Sequence, residues 1–313
     1  MNAFEVLQPG LLSLLHDRGR FGQAALGLTT GGPADPFAAS LANQLVDNGD
    51  DATILEVSFG GLTVRAQQSL QIAVTGAELS ITIDGKEQPQ WTTLSIDEGQ
   101  ELSLGFSEKG CRSYLAVRGG FAVDPQFGST STVVREGIGG LSGQKLNAGD
   151  DLQVNPSGEV KALTVPKASR PGYAQRLTVR VIPGYQQEHF SRLQQRRFFG
   201  SEYEVSQRAD RMGYRLEGSV IDGDIKGILS EGIAFGAIQI PADGQPIVLL
   251  NDRQTIGGYP KIGCALSSDC ARLTQLRPGD RVTFTPISPE AAHNAVHLER
   301  VYRRSISLQA YNS

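Results

Sequence analysis

Two halves of this chain repeat the same sequence patterns in the same order, and that repeat limits the possible folds more than any other feature. The segment FEVLQPG at residues 4–10 resembles LTVRVIPG at residues 177–184. Further along each half, Glu56 and Glu231 each stand shortly before a Phe-Gly pair that opens an apolar stretch. Because self-similarity of this kind indicates a duplicated unit, we expect two related domains.

A second register of the repeat competes with this one. It aligns LLHDRGRFG at residues 14–22 with LLNDRQTIG at residues 249–257, which match at five of nine positions. That register breaks the order of the other matches, so the collinear one is preferred. In the collinear alignment each half has one stretch of extra length with the apolar spacing of a helix, at residues 33–47 and 186–199.

Most of the chain has the pattern of short strands divided by turns. From residue 53 to 121, short apolar runs end at turns such as Asp84-Gly85. The 37 glycines and the aromatic content of only 7% agree with a turn-rich, mainly β protein that has a few short helices, the last at residues 268–276. The predicted parts are an N-terminal β domain, a linker, a C-terminal β domain and a tail, at residues 1–155, 156–172, 173–290 and 291–313.

Composition and motifs narrow the functional classes. The net charge is −4 and no basic block is present, so we expect no nucleic-acid partner. No apolar run approaches the ~20 residues that span a bilayer, and the N-terminus lacks the pattern of a signal peptide, so we expect a cytoplasmic protein. The cysteines lack metal or disulfide spacing, the pair His293 and His297 has no third ligand beside it, and no Met-Lys biotinylation sequence occurs. We therefore expect no metal site and no covalent biotin on this chain.

Charged residues accumulate where apolar strands end, which is where a sheet protein often has its site. The clearest stretch follows the apolar run at residues 247–250: five polar residues, then Gly257-Gly258-Tyr259-Pro260-Lys261. Arginine offers a planar fork for carboxylate or phosphate, aspartate orients such a fork or holds Mg²⁺, and lysine donates a proton or contacts phosphate. We expect catalytic roles for Lys261, Asp252 and Asp210, and substrate binding by Arg211, Arg215, Arg253, Tyr259, Arg18 and Asp17.

An alternative role for the same residues stays open. Asp-Arg pairs also tie turns together through hydrogen bonds, without any part in catalysis. In a two-domain β protein, related positions from both halves can instead meet at a shared cleft. The hypothesis of a small-molecule site depends on convergence of these charged strand ends.

Three stretches carry a resemblance to a known family. They are RSYLAVRGG, ADRMGYRLEG and GAIQIPADGQPIVLLNDRQTIGGYPKIG, at residues 112–120, 209–218 and 236–263. Together they resemble the biotin-dependent carboxyltransferase family, whose members include the C subunit of bacterial ATP-dependent 5-oxoprolinase, the KipA proteins and the carboxyltransferase region of urea carboxylase. The likeness spans residues 4–285 and implies two cyclophilin-like β-barrel domains related by duplication. The family commonly has glutamine where this chain has His16.

Within that family, a free-standing chain of this length is most similar to the C subunit of 5-oxoprolinase. The resemblance implies an ATP-hydrolysing amidohydrolase that opens the lactam of 5-oxo-L-proline to L-glutamate, in a complex with a KipI-like B subunit and an oxoprolinase A subunit. It implies ATP with Mg²⁺ as cofactor at the level of the complex. Two alternatives share the motifs: a carboxyltransferase that acts on urea or a related amide with carboxybiotin, and a KipA-type antagonist of a KipI-like kinase inhibitor.

Two substitutions follow from this resemblance. We expect Arg211→Ala and Lys261→Ala to abolish ATP-dependent turnover while the fold and the binding of the KipI-like partner persist. Wild-type turnover in either variant complex would remove that residue from the site.

Overall fold

The computed structural model describes residues 1–225 and 227–311, which divide into two compact units. Strands outnumber helices in both units, so the prediction of a mainly β fold with a few short helices is confirmed. Each unit is discontinuous in sequence. Unit 1 is Met1–Phe21, Thr30–Tyr173 and the C-terminal segment from Ile306, and unit 2 is Gly22–Thr29 and Ala174–Ser305.

Unit 1 is built from two antiparallel sheets. Its main strands are β1 (Asn2–Pro9), β2 (Leu12–His16), β3 (Ile54–Ser58), β4 (Gly60–Ala66), β5 (Leu70–Glu78), β6 (Ile81–Ile83), β7 (Lys86–Gln88), β8 (Thr93–Ile96), β9 (Glu101–Phe106), β10 (Lys109–Val117) and β11 (Asp151–Gln153). The six-stranded sheet has the order β11-β1-β4-β9-β6-β7, and the five-stranded sheet has the order β2-β3-β10-β5-β8. The predicted hairpin turn is confirmed: Asp84 and Gly85 join β6 to β7, both with positive φ.

The main apolar core of unit 1 lies between its two sheets. Inward residues such as Val64 of β4 and Val74 of β5 belong to one cluster. Along β4 these buried residues alternate with partly exposed ones, as expected when two sheets pack face to face. The other side of β5, which includes Ala73, packs against a helix in a second cluster. The five-stranded sheet is therefore apolar on both faces.

The helix on that second face is α1 (Pro36–Leu45), which confirms the helix predicted within residues 33–47. It begins where the sequence indicates, because the Asp35 side chain accepts a hydrogen bond from the Ala38 N–H and Pro36 occupies the first helical turn. Its Leu41 is fully buried in the cluster against the sheet.

The structure differs from the predicted linker and tail. Leu163–Thr164 forms a two-residue strand, β12, that pairs with Gln309–Ala310, so residues 156–172 belong to unit 1 rather than to a free linker. The predicted tail begins inside a 17-residue helix, Pro289–Ser305. A two-residue strand is too short to show periodicity, and that helix buries only Ala292, so neither had a clear apolar pattern.

Unit 2 contains a closed barrel of seven strands. The strands of unit 2 are β13 (Arg176–Pro183), β14 (Glu202–Val205), β15 (Gly213–Glu217), β16 (Glu231–Gly232), β17 (Ala237–Gln239), β18 (Ile247–Leu249), β19 (Ile256–Gly257), β20 (Lys261–Ala265) and β21 (Arg281–Pro286). Of these, β16 and β19 lie outside the barrel. Gln309–Ala310 of unit 1 is β22. The barrel order is β13-β20-β17-β18-β15-β14-β21, closed by the parallel pairing of β13 with β21. The strands β16 and β19 pair only with each other.

The helices of unit 2 are α2 (Arg192–Gly200), α3 (Ser267–Leu273) and α4 (Pro289–Ser305). The helix predicted at residues 186–199 is a short 3₁₀ turn followed by α2, which begins at the Ser191 cap. Phe198 of α2 stacks on Phe284 of the barrel with 4.5 Å between ring centroids. Among the described residues, no helix combines the length and the apolar content needed to cross a bilayer.

Candidate functional site

The strands β16 and β19 form a short ribbon, called here the ribbon, that covers part of the outer face of the unit 2 barrel. Ile233, directly after β16, packs in a small apolar cluster with Ala237, Ile247 and Leu249. Along the barrel strands these residues alternate with core residues such as Ile238. Because neighbouring residues of a strand point to opposite faces, the cluster lies outside the barrel, beneath the ribbon.

A β-bulge determines which polar side chains lie beside this cluster. Ile238 of β17 is paired with Gly263 of β20, whereas Gln239 is paired with Lys261, so β20 has one extra residue. Ile262, between the two paired positions, belongs to the barrel core. Lys261 and Gln239 are consequently neighbours on the same outer face, and bulges commonly re-aim side chains in this way beside active sites.

Lys261 is the centre of a polar network at the end of the ribbon. Its ammonium group forms an ion pair with Glu231, the first residue of β16. The Tyr185 hydroxyl donates to the same carboxylate, and Gln186 Nε2 donates to it over 2.8 Å. The Gln186 side-chain oxygen also accepts from the Lys261 backbone N–H at 2.8 Å. Gln186 is buried, so it holds both partners of the ion pair in place.

The electrostatics of this network keep its carboxylate ionised. Hydrogen bonds from Lys261 and then from Tyr185 lower the pKa of Glu231 below its usual value. The hydrogen bond to Glu231 raises the pKa of Tyr185, so the phenol stays protonated at neutral pH. Tyr185 is 71% exposed, whereas the Lys261 side chain is 11% exposed. The network therefore joins a shielded ammonium group to a solvent-exposed hydroxyl through an ionised carboxylate.

Gln239 is a second donor beside Lys261. Its residue is 6% exposed, and among the residues that the structure describes its Nε2 has no hydrogen-bond partner. A β-carbon built on Gly257 of the ribbon would lie 3.0 Å from this nitrogen and 2.5 Å from the Ile233 side chain. Glycine at position 257 therefore lets the ribbon approach Gln239 closely. A buried donor without a partner destabilises the folded protein, and a ligand oxygen would satisfy it.

Two of the sequence-predicted site residues form a buried ion pair elsewhere in unit 2. The Nε and Nη2 atoms of Arg211 donate to the two carboxylate oxygens of Asp252 at 2.9 and 3.0 Å. Their side chains are 5% and 10% exposed. The Asp252 N–H also donates to the Arg211 carbonyl oxygen at 2.9 Å. The pair joins the loop before β15 to the loop after β18, and its charges face each other rather than solvent.

Asp210 and Arg253 also have contacts that organise the backbone. The Asp210 carboxylate accepts from the N–H groups of Met212 and Gly213 at 2.8 and 3.1 Å and so closes a turn. Arg253 Nε donates to the carbonyl oxygen of Ile233 at 3.2 Å, which anchors the ribbon to the loop after β18. Burial lowers the pKa of the Arg253 guanidinium.

The last two predicted residues of unit 2 are exposed. Arg215 lies on the outer face of β15, and among the described residues no hydrogen bond joins its side chain to Lys261 or Glu231. Tyr259 is 46% exposed and lies two residues before Lys261 in the chain. The structure therefore brings Tyr259 near the polar network only through its position in the loop that leads into β20.

In unit 1, Asp17 anchors a loop and Arg18 is exposed. The Asp17 carboxylate accepts from the hydroxyls of Ser129 and Ser131 and from the N–H groups of Thr130 and Gly19. Burial alone would raise the pKa of Asp17, but these hydrogen bonds outweigh burial and lower it. Nearby Arg20 is 1% exposed and donates to the carbonyl oxygens of Gln126, Ser129 and Ser131.

Sequence reasoning identified Lys261 but missed the side chains around it, which are Tyr185, Gln186, Glu231 and Gln239. One of them had a detectable signal, because Glu231 recurs in the repeat as the counterpart of Glu56. The other three residues had no such signal, since a single tyrosine or glutamine is unremarkable by itself. The shared cleft expected from both halves stays a prediction.

The donors of the network favour oxygen acceptors as ligands. Within residues 1–225 and 227–311, no group of three or more His, Cys, Asp or Glu side chains is arranged to hold a metal ion. The ammonium, amide and phenol groups beside the ribbon are hydrogen-bond donors instead. They suit a carbonyl, carboxylate or phosphoryl oxygen.

The fold and the site together define a mainly β protein with a lysine-centred polar site on the outside of a barrel. Residues 26–286 match the family model described as carboxyltransferase domain, subdomain A and B. The chain therefore belongs to this carboxyltransferase domain family, as the resemblance of its sequence predicted.

Relatives within the family match this chain over nearly its whole length. The chain is 36% identical over 314 residues to the 5-oxoprolinase C subunit of Escherichia coli strain K12. The aligned part covers 98% of this chain and 99% of that protein. It is 32% identical to the 5-oxoprolinase C subunit of Haemophilus influenzae, over 96% and 97% of the two chains. Its structure is similar to that of urea amidolyase from K. lactis, with a TM-score of 0.91 and 27% identity, over 97% of this chain and 20% of that one.

Proposed function

We propose that this chain is the C subunit of an ATP-dependent 5-oxoprolinase complex, which cleaves 5-oxo-L-proline to L-glutamate as ATP is hydrolysed. The observation that carries the proposal is the full-length similarity to two bacterial proteins named as C subunits of 5-oxoprolinase, at 36% and 32% identity. The similarity over 98% of this chain to the first of them includes the strands and loops that build the network at Lys261.

The chemistry of a lactam accounts for the consumption of ATP. An unstrained amide is a poor electrophile, and phosphorylation of its oxygen makes the carbonyl carbon open to attack by water. The ring C–N bond then breaks and its nitrogen leaves as a protonated amine, which gives an acyl phosphate. A second water releases phosphate from it and completes the carboxylate of glutamate. In this proposal Lys261 donates a hydrogen bond to the amide oxygen and so orients it while a lone pair of that oxygen attacks the phosphoryl group of ATP. Glu231 holds the ammonium group in place, and the exposed Tyr185 hydroxyl connects it to solvent.

The other predicted residues take supporting roles in the proposal. Arg253 fixes the ribbon that presents Glu231. Arg211 and Asp252 act as a pair that shapes the loops around the site, and Asp210 acts through the turn that it closes. Tyr259 and Arg215, which are exposed, are the residues of unit 2 that remain available to contact the substrate or a neighbouring protein of the complex.

The remaining components of the reaction come from the complex. We propose a KipI-like B subunit and an oxoprolinase A subunit as partners, with ATP and Mg²⁺ bound at the level of the complex and no biotin attached to this chain. The naming of the bacterial relatives as subunits supports a multi-subunit enzyme.

A second candidate function is a carboxyltransferase that acts on urea or a related amide with carboxybiotin from another protein. It is favoured by the TM-score of 0.91 to urea amidolyase from K. lactis. The chain matches 20% of that protein, so this function would need partner domains that supply the biotin.

The test is reconstitution of the complex with each component omitted in turn. The chain is co-purified with both proposed partners, and ATP hydrolysis is measured with and without 5-oxo-L-proline, with glutamate formation as the second readout. We expect hydrolysis that depends on 5-oxo-L-proline and is lost when this chain is left out. Equal turnover without this chain would contradict the proposal, and urea-dependent, avidin-sensitive activity would support the second candidate instead.

A further inference from the structure

We propose that Gln239 and Lys261 together form a two-donor site for the carbonyl oxygen of a neutral amide, and that Glu231 sets this preference by neutralising the lysine. This inference rests on the proposed function, because it names the substrate group that the ribbon site binds. It assigns a binding role to Gln239 and a specificity role to Glu231.

The two donors lie side by side because of the register of the barrel. Gln239 and Lys261 are paired across β17 and β20, and side chains at directly opposite positions have β-carbons about 4.5–5.5 Å apart. The bulge at Ile262 places both side chains on the outer face. In this proposal their nitrogen atoms approach one oxygen atom from two sides.

Both donors have hydrogen atoms left for a ligand. An ammonium group has three N–H donors, and among the described residues Glu231 is the hydrogen-bond partner of the Lys261 Nζ. The Gln239 Nε2 has no partner within the same set of residues, although its residue is only 6% exposed. A carbonyl oxygen has two lone pairs, so in the bound substrate it can accept from both nitrogens, and one of these hydrogen bonds is exchanged for the O–P bond when the oxygen is phosphorylated.

Glu231, in contrast, is an acceptor that three neighbouring groups hold in place. Its carboxylate accepts from Lys261, Tyr185 and Gln186. Its role is therefore to position the ammonium group rather than to take a proton from the substrate. Tyr185 is the solvent-exposed member of this set.

The charge of the site decides which oxygen it prefers. Lys261 and Glu231 form a pair of opposite charges, and Gln239 and Gln186 are neutral, so these four side chains have no net charge. A lysine without a carboxylate would favour phosphate or another anion. The paired lysine favours a neutral, polar oxygen such as that of a lactam or of urea, which desolvates at lower cost than an anion.

The first test measures the loss of the Gln239 donor. Gln239→Leu and the matched control Gln207→Leu, an exposed glutamine of the same unit, are assembled into the complete complex. We expect Gln239→Leu to lower kcat/KM for 5-oxo-L-proline on the order of 10²-fold to 10³-fold, as for removal of one donor to a reacting oxygen. Gln207→Leu retains wild-type kinetics. An unchanged thermal unfolding midpoint shows that the Gln239 variant is folded.

The second test measures the specificity role of Glu231. Glu231→Gln leaves Lys261 without a neutralising carboxylate, so we expect sulfate to become a competitive inhibitor of this variant, while the wild-type complex is inhibited no more by sulfate than by chloride at equal ionic strength. We expect Glu231→Asp to restore resistance to sulfate. A purely structural role for Glu231 would lower activity without this change in anion sensitivity.

The outcomes separate the inference from the proposed function. Wild-type turnover of 5-oxo-L-proline together with unaltered kcat/KM in Gln239→Leu would overturn the inference and leave the function standing. A wild-type complex without turnover would overturn the function, and calorimetric binding of urea then tests the inference alone. Urea binding that is weakened by Gln239→Leu but not by Gln207→Leu supports an amide site, whereas equal binding by all three proteins, or no binding, overturns it.

Discussion

The Arg211–Asp252 pair and the Lys261–Glu231 pair belong to the same unit, but they leave different groups for other molecules. In the first pair, two guanidinium nitrogens meet two carboxylate oxygens and both side chains are at most 10% exposed. In the second pair, the carboxylate is 34% exposed and the ammonium group keeps donors that no described residue accepts. A charged residue at a strand end is therefore a functional candidate only if its hydrogen-bonding groups are not already used within the fold.

Unit 1 extends the comparison. In the collinear repeat the Asp-Arg dipeptide at residues 17–18 aligns with the one at residues 210–211. Asp17 is also used internally, because its carboxylate accepts four hydrogen bonds from the chain. Arg20 is likewise directed at backbone carbonyl oxygens. If the internally bonded charges are structural and the Lys261 network is functional, substitutions of the former change stability and substitutions around Lys261 change activity.

The largest effect on stability is expected for Arg211→Ala. Removing one partner of a buried ion pair leaves the Asp252 carboxylate buried without its guanidinium partner, which costs about 3–5 kcal/mol. This corrects the sequence-based expectation that the variant keeps its fold intact. Denaturant unfolding measures the loss, and Arg215→Ala, an exposed arginine of the same unit, is the control with a change within ~0.5 kcal/mol. Equal effects of the two substitutions would break the distinction between buried and exposed arginines.

A smaller effect, with a defined pH dependence, is expected for Asp17→Asn. The pKa of Asp17 is lower in the folded state than its usual value of 3.8, so its ionised form stabilises the fold above that value, and the contribution is lost as the pH falls through the lower folded pKa. We expect the variant to be less stable by about 1–3 kcal/mol at neutral pH, because buried donors lose an ionised acceptor. Unfolding curves between pH 7 and pH 2 should show this difference shrinking below pH 3.8. A constant difference across that range would contradict the assigned role.

Asp210→Ala is expected to cost less, about 1 kcal/mol, because Asp210 is exposed and accepts only two hydrogen bonds within one turn. Asp210→Asn should recover most of the loss, since an asparagine oxygen accepts the same bonds. Thermal unfolding of the three proteins measures both changes. A loss of turnover in Asp210→Asn without a loss of stability would instead restore the catalytic role that the sequence predicted.

The smallest effect on stability is expected for Glu231→Gln. Its ion pair with Lys261 is partly exposed, and such pairs contribute about 0–1 kcal/mol. The same variant should lose activity in the complex although it loses little stability. Asp17→Asn, in contrast, should lose stability and keep its activity. Unfolding and steady-state kinetics on one preparation measure both. A destabilisation as large as that of Arg211→Ala would place Glu231 among the structural residues.

The elements of the fold were predictable to different degrees. The hairpin at Asp84-Gly85 and the start of α1 at Asp35-Pro36 depend on turn residues and caps within a few positions of the chain. They appear in the structure close to where the sequence indicates them. The strand β12 was not predicted from the sequence, because its stability comes from pairing with residues 309–310, far along the chain.

For the candidate site, local sequence selects Lys261 together with other charged residues at strand ends, and it contains no contiguous metal-ligand motif. It was not sufficient to separate Lys261 from Arg211, since both are cations near the end of an apolar strand. That separation required partners 30, 41 and 75 residues away, namely Glu231 for Lys261, Asp252 for Arg211, and Gln186 for Lys261. A strand register and one bulge bring these groups together. The aligned residues do not by themselves predict the register or the bulge.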